Sequence, residues 1–265
     1  MPIKLIAASR RRPGLTRAEY FRYIEHYHGT VARLERFKIT RYIQNHVIDG
    51  AFGVLSDVGH KNKTTDREGV VELYFDEFRD MLATLEPEGV EQSRANQDGK
   101  FFADEPTNII VMAEEVELPV PSPLPKFNPG LGEPGHGAVK VMHYIMRRPE
   151  VFPTDYYRLW RRAHDEAMAK SPYAQEMFRK VIMNKRSRVN DNDAAARAHF
   201  KMVDPPVYDL IVSITLDSTE QVGAFRQYLE AMQESPLDFA DWSESFFLYT
   251  RPVRIIDDAS PKGFS

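Results

Sequence analysis

Cysteine is missing from all 265 residues. Disulfides, thiolate nucleophiles, iron–sulfur clusters and cysteine-ligated zinc are thereby excluded. The same absence suits a reducing cytoplasm, the expected location. Long apolar runs are missing too, and no stretch approaches the roughly 20 apolar residues a membrane helix needs. The N-terminus, MPIKLIAASRRRPG, puts a brief apolar run before its arginines, the reverse of a secretory signal. Nor is there a basic excess. Lys and Arg total 35 against 39 Asp and Glu, a formal net charge of −4. No nucleic-acid partner and no membrane partner is therefore expected. Walker patterns and GxSxG elbows do not occur. Nucleotide cofactors and serine-hydrolase chemistry are disfavoured, and no cofactor is expected.

What is present is a repeat. Leu118 to Ala138 is dense in proline and glycine and reads as an extended linker. It divides the chain into residues 1–117, 118–138 and 139–265. KLIAASRRRPGLTRAEYFRYIEHYH, residues 4–28, aligns without a gap on KVMHYIMRRPEVFPTDYYRLWRRAH, residues 140–164. His28 falls on His164, Tyr20 on Tyr156 and Ile24 on Trp160. YIQN at Tyr42–Asn45 matches VIMN at Val181–Asn184, and VELYFD at Val71–Asp76 matches VSITLD at Val212–Asp217. A repeat this long implies two copies of one supersecondary plan.

Each copy reads β-α-β-β-α-β, the ferredoxin-like unit. Strands are expected over Ile3–Arg10, Thr40–Ile48, Gly69–Phe75 and Thr107–Leu118. In the second copy they are expected over Val139–Met146, Lys180–Arg188, Tyr208–Leu216 and Ser245–Ile256. Thr16 followed by Glu19 is a capping-box signature for the first helix. Further helices begin near Asp76 and Asp217. Such a unit covers one sheet face with helices and leaves the other apolar. Two units in one chain can cover each other, so the expected class is α+β, a pseudo-dimeric barrel. The pseudo-dimer could pair again into a homodimer.

RRPGLTRAEYFRYIEHYHG, then RYIQNHV, then EGVVELYFD resembles the EthD family. The resemblance covers most of residues 4–117, and Lys140 to Ile256 looks like a diverged copy. It implies a dimeric α+β barrel and association with degradation or tailoring of aromatic and polyketide-like compounds. Related barrels host cofactor-free lyases, isomerases and oxygenases, so the resemblance does not select a reaction.

At about 100° per helical residue, Phe21, Ile24 and His28 share the apolar face and His26 points to water. Tyr157, Trp160, His164 and Ala167 occupy the same angles in the second copy. His28 and His164 are thus the candidates. Two readings stay open for each: a buried imidazole locking helix to sheet, or a general acid–base lining a pocket. On the second strand, Tyr42 and Gln44 share one face and Asn45 takes the other. Asn45, repeated as Asn184, could orient a ligand oxygen or could satisfy a turn. Tyr23, Tyr42 or Asn45 would position the substrate oxygen. Glu25 and His28 share helical spacing, but Arg161 replaces Glu25 in the second copy and no metal site is expected.

Ala7-Ala8-Ser9 becomes His143-Tyr144-Ile145 in the second copy. Small side chains leave volume. The first half is therefore expected to keep a ligand-sized cavity beside Ala7 and His28, lined by Phe21, Tyr23 and Ile24. In the second half Trp160 and its neighbours would partly fill the equivalent space. The long segments Asp49–Arg67 and Val189–Val207, with His60 and His199, read as lids or as plain loops. The expected function is cofactor-free lyase chemistry on a small aromatic or polyketide-like compound. Alternatives are a cofactor-independent monooxygenase or isomerase, or a protein that only binds such a molecule.

Overall fold

The computed structural model describes residues 2–35, 38–48, 67–85, 94–121, 137–187 and 208–257. Eight strands organise them: β1 Ile3–Arg10, β2 Arg41–Val47, β3 Arg67–Phe75, β4 Ile109–Leu118, β5 Val139–Arg147, β6 Lys180–Arg186, β7 Leu210–Leu216 and β8 Ala240–Asp257. Helix α1 starts as Arg17–Arg22, passes through a π-helical stretch, Tyr23–His28, and resumes as Gly29–Glu35. The other helices are α2 Phe78–Leu85, α3 Arg94–Gln97, α4 Gly99–Phe102, α5 Pro153–Lys170, α6 Pro172–Met177 and α7 Val222–Gln233. Among the described residues, no helix is long and apolar enough to cross a membrane.

The strands close into one antiparallel barrel, in the order β1-β3-β2-β8-β5-β7-β6-β4. The first four lie 4-1-3-2 and the last four lie 8-5-7-6, the same order in both halves. Two seams join the halves. β4 pairs with β6, and β2 pairs with the C-terminal part of β8, whose N-terminal part pairs with β5. Each strand thus has two neighbours, which removes the exposed edges that invite aggregation.

Strand alternation sorts the side chains into layers. Ile3 and Leu5 of β1 face the helices, whereas Ile6 and Ala8 face the barrel interior with Val70, Val111, Met142, Tyr144 and Phe246. The interior also holds charge. Buried Glu72 pairs with both Lys4 and Lys140, and Lys4 reaches Asn184 Oδ1 at 2.8 Å and Glu115 at 3.0 Å. Asn45 Nδ2 donates to Glu72 at 2.8 Å. Burial alone would raise the Glu72 carboxyl, but Lys140 and Lys4 overcome it and hold the pKa well below the ordinary value.

Most expected boundaries lie within three residues of those observed. The exceptions are the last strand, which starts at Ala240 rather than Ser245, and the final helix, which starts at Val222 after a 3₁₀ turn. A register shift between Tyr144 and Met146 lets β8 go on pairing with Arg147. The expected lid segments with His60 and His199, and most of the linker, lie outside the described residues. That linker spells GLGEPG at residues 130–135, the letters of a dinucleotide-binding turn, also outside the described residues.

Candidate active site

Helix α1 is fixed at its start by the expected capping box. Thr16 Oγ1 accepts from the Glu19 backbone N–H at 3.2 Å, and Glu19 accepts from the Thr16 N–H at 2.7 Å. Farther on, the π-helical stretch adds a residue to the turn, a distortion that recurs at functional sites. Its last residue, His28, faces a cavity of ≈ 200 Å³ between α1, the short helices α3 and α4, and the outer face of the β1–β4 sheet. Leu5, Ala7, Ile24, Leu73 and Phe102 supply apolar wall. An apolar cavity of about 150 Å³ holds benzene, so this one has room for one ring with substituents.

The polar groups on the wall are few and directed. His28 Nδ1 lies 2.8 Å from Asp98 Oδ1, and the Asp98 side chain is 5% exposed. A carboxylate can only accept, so Nδ1 carries a proton, and in the neutral ring Nε2 keeps its lone pair. Among the described residues, Nε2 has no hydrogen-bond partner. Tyr20 and Ser9 exchange a 2.6 Å hydrogen bond at the wall. The Tyr20 hydroxyl needs the absence of a side chain at Gly69, where a Cβ would come within 2.7 Å of it. Tyr42 accepts from Gln44 Nε2 at 3.0 Å, and its ring meets the His28 ring edge-on, centroids 6.3 Å apart. Burial raises the pKa of both tyrosines, so each keeps its proton.

The expected residues divide into three groups. His28, Tyr42, Ile24 and Ala7 line the cavity together. Phe21 and Tyr23 do not. Phe21 stacks on His46 at 4.6 Å, and Tyr23 packs against Tyr27 and Phe102. The π-helical stretch is the physical reason, because it breaks the 100° spacing that put Phe21 on the same face as His28. Burial and the nearby Asp98 charge push the Tyr23 hydroxyl up to about 12. Asn45 and Asn184 lie on the opposite faces of their strands, inside the barrel, and serve the Glu72–Lys4 network rather than the cavity. His26 is exposed.

The second half closes the equivalent space. Trp160 replaces Ile24, and it stacks on His164 at 5.1 Å. His164 Nδ1 bonds to the Tyr228 hydroxyl at 2.8 Å, and burial pushes its pKa down to about 4. His143 replaces Ala7 and packs among Phe225, Trp242 and Phe247. Both Trp160 and His164 are buried. Residue for residue, a carboxylate-held imidazole at a cavity has become a tyrosine-held imidazole in a filled core.

Asp98 was not anticipated from sequence. It lies 70 residues from His28 in a polar stretch, and the Asp-Gly followed by Phe101-Phe102 is the only local hint of a turn that packs inward. Among the described residues, no three His, Asp or Glu side chains gather as a metal-binding group.

Solved structures share the fold. A Fusobacterium nucleatum protein provisionally assigned as a monooxygenase aligns with a TM-score of 0.52 at 6% identity, over 95% of this chain and 92% of its own. A provisionally assigned chlorite dismutase aligns at 0.51 and 13% identity, over 98% of each chain. Chlorite dismutase from Candidatus Nitrospira defluvii, bound to imidazole, aligns at 0.50 and 9% identity, over 94% and 90%. At these identities the likeness concerns fold alone. No curated protein matches the chain. The model of the EthD domain matches residues 12–106, the span that carries His28, Tyr42 and Asp98. His28 and Asp98 thus lie within the stretch of this chain that is similar to an EthD domain.

Proposed function

We propose that the cavity of the first half binds a small, largely aromatic molecule and transfers a proton within it, with His28 as general base. The observation that carries this reading is the His28–Asp98 pair with its free nitrogen on a mostly apolar cavity. Asp98 fixes the ring tautomer and stabilises the imidazolium that forms, and Nε2 takes the proton. The apolar wall excludes water, so the charges created act at close to full strength. Tyr42 positions the substrate oxygen. His164 is a packing residue in this reading, so one active site operates per chain.

A lyase outcome follows if the resulting anion expels a leaving group. A monooxygenase outcome follows if the anion meets dioxygen. The fold shared with a provisionally assigned monooxygenase keeps the second reading in play. The chain is further inferred to be two ferredoxin-like repeats, 1–117 and 139–265, joined by the 118–138 linker, working as a cytoplasmic protein. The matched strand order of the halves supports the repeat.

The test screens aromatic acids, hydroxylated diaryl compounds and anthrones for thermal stabilisation. Hits are then followed for turnover and oxygen uptake in wild type, His28→Ala and His164→Ala. Loss of turnover in His28→Ala alone is expected. Equal turnover in all three would end the proposal. Binding without turnover by wild type would favour a carrier.

A further inference from the structure

We propose that Gln44 holds Tyr42 as a hydrogen-bond donor into the cavity, and that the site therefore takes an enolisable carbonyl compound. This rests on the reading of His28 as the base.

Gln44 sits on the same face of β2 as Tyr42 and is buried. Its Nε2 lies 2.7 Å from the Ile24 carbonyl and 3.0 Å from the Tyr42 hydroxyl. A backbone carbonyl only accepts, so the amide nitrogen must face it, and its second N–H must point at Tyr42. The Ile24 carbonyl is available because the π-helical turn leaves it bonded to the Gly29 N–H, five residues on. The other end of the amide is held as well. Gln44 Oε1 lies 3.1 Å from His46 Nε2, so that nitrogen carries its proton. His46 is enclosed by Phe21, Glu25, Arg17, Arg251 and His26. Burial and the surrounding cations keep it neutral, with a pKa pushed down to about 4. The carboxylate of Glu25, 3.8 Å away and part-exposed, is too far to reverse this.

The consequence is directional. The Tyr42 oxygen already accepts the amide N–H, and among the described residues its own proton has no acceptor. That proton is offered to a ligand in the cavity. His28 Nε2, on the neighbouring wall, offers a lone pair. A base and a donor on rings whose centroids lie 6.3 Å apart fit a carbonyl whose adjacent carbon carries the acidic hydrogen. The C–H bond breaks and its proton goes to Nε2. The electron pair forms a C=C bond, and the former carbonyl oxygen becomes an enolate that receives the Tyr42 hydrogen bond. Return of the proton to another carbon gives an isomer, and expulsion of a β-substituent gives a lyase product. Neither outcome needs a co-reactant. Gln44 is a positioning residue here, because it acts through Tyr42.

A phenolate has the charge and shape of an enolate, and 4-nitrophenol reports its own ionisation by colour. The full chain is titrated with 4-nitrophenol about one unit below the probe's own pKa. Wild type is expected to bind it in the yellow, ionised form. Tyr42→Phe and Gln44→Met are expected to bind it at least about tenfold more weakly and mostly neutral, the scale of one hydrogen bond to a charged acceptor. Gln44→Glu gives a second variant should Gln44→Met not fold. Its carboxylate cannot donate and would capture the Tyr42 proton, so the same loss is expected. Wild-type affinity and colour in the folded Gln44 and Tyr42 variants, with colour lost in His28→Ala, would overturn this inference and leave His28 as base. Full colour in His28→Ala, or no binding to wild type, would overturn both.

Discussion

The aligned segments 4–28 and 140–164 supply a direct perturbation, Ile24→Trp, which writes the second segment's residue into the first. Ile24 lines the ≈ 200 Å³ cavity, and its counterpart Trp160 is buried in a closed core. The added indole surface removes some 40–80 Å² of apolar area from water, a gain of roughly 1–2 kcal/mol. Its N–H is the opposing term. Among the described residues, Trp160 Nε1 itself has no partner, and burying such a donor costs about 1–3 kcal/mol. The two nearly cancel, so stability should stay within about 1 kcal/mol of wild type. That corresponds to a shift of a few degrees in Tm for a chain of this length. Binding should not survive, because the ring occupies the ligand's space. Thermal unfolding with and without a cavity ligand such as 4-nitrophenol measures both. The reasoning is refuted if the variant loses more than about 3 kcal/mol, the scale of overpacking a full core. It is equally refuted if a stable variant binds the ligand as wild type does.

Three further outcomes follow from the same geometry. Asp98→Asn frees the His28 tautomer and should lower kcat for any substrate found by about 10²- to 10⁴-fold with a small change in KM; an unchanged kcat would remove Asp98 from the mechanism. Glu72→Gln leaves the buried Lys4 and Lys140 without their shared carboxylate, and urea denaturation should show a loss of about 3–5 kcal/mol. A loss below about 1 kcal/mol would mean that water reaches the barrel interior. His164 binds its proton more weakly folded than unfolded, so the unfolded state takes up more protons as pH falls from the ordinary histidine value toward about 4. Its contribution is present above that window and is lost through it, up to roughly 3 kcal/mol. His164→Phe should flatten that part of the stability–pH curve, and an identical curve would show that another group sets the acid sensitivity.

Much of the architecture was legible because it rests on local chemistry. Arg-Arg-Pro ends the first strand of each half, Thr16 and Glu19 cap α1, and the period-2 pattern of β2 separates Tyr42, Gln44 and His46 from Asn45. The small residues Ala7 and Ser9, set against His143 and Ile145, pointed to the half with room in it. What stayed hidden depends on side chains far apart in sequence. Asp98 meets His28 across 70 residues, and no periodicity marks it. Which face of β2 turns to the helices depends on barrel closure, and that choice sends Asn45 to Glu72 instead of to a ligand.

The sequence by itself determined the matching segments of the two halves, the order of strands and helices, the inward turn of one histidine per half and the difference in bulk between the halves. Each of these follows from residue spacing and size. Only the tertiary structure decided that His28 has a carboxylate behind it and open space before it, whereas His164 has a tyrosine behind it and a tryptophan across it. Helix periodicity aims a side chain at a layer. The partners waiting in that layer come from distant segments, and the chain must fold before they meet.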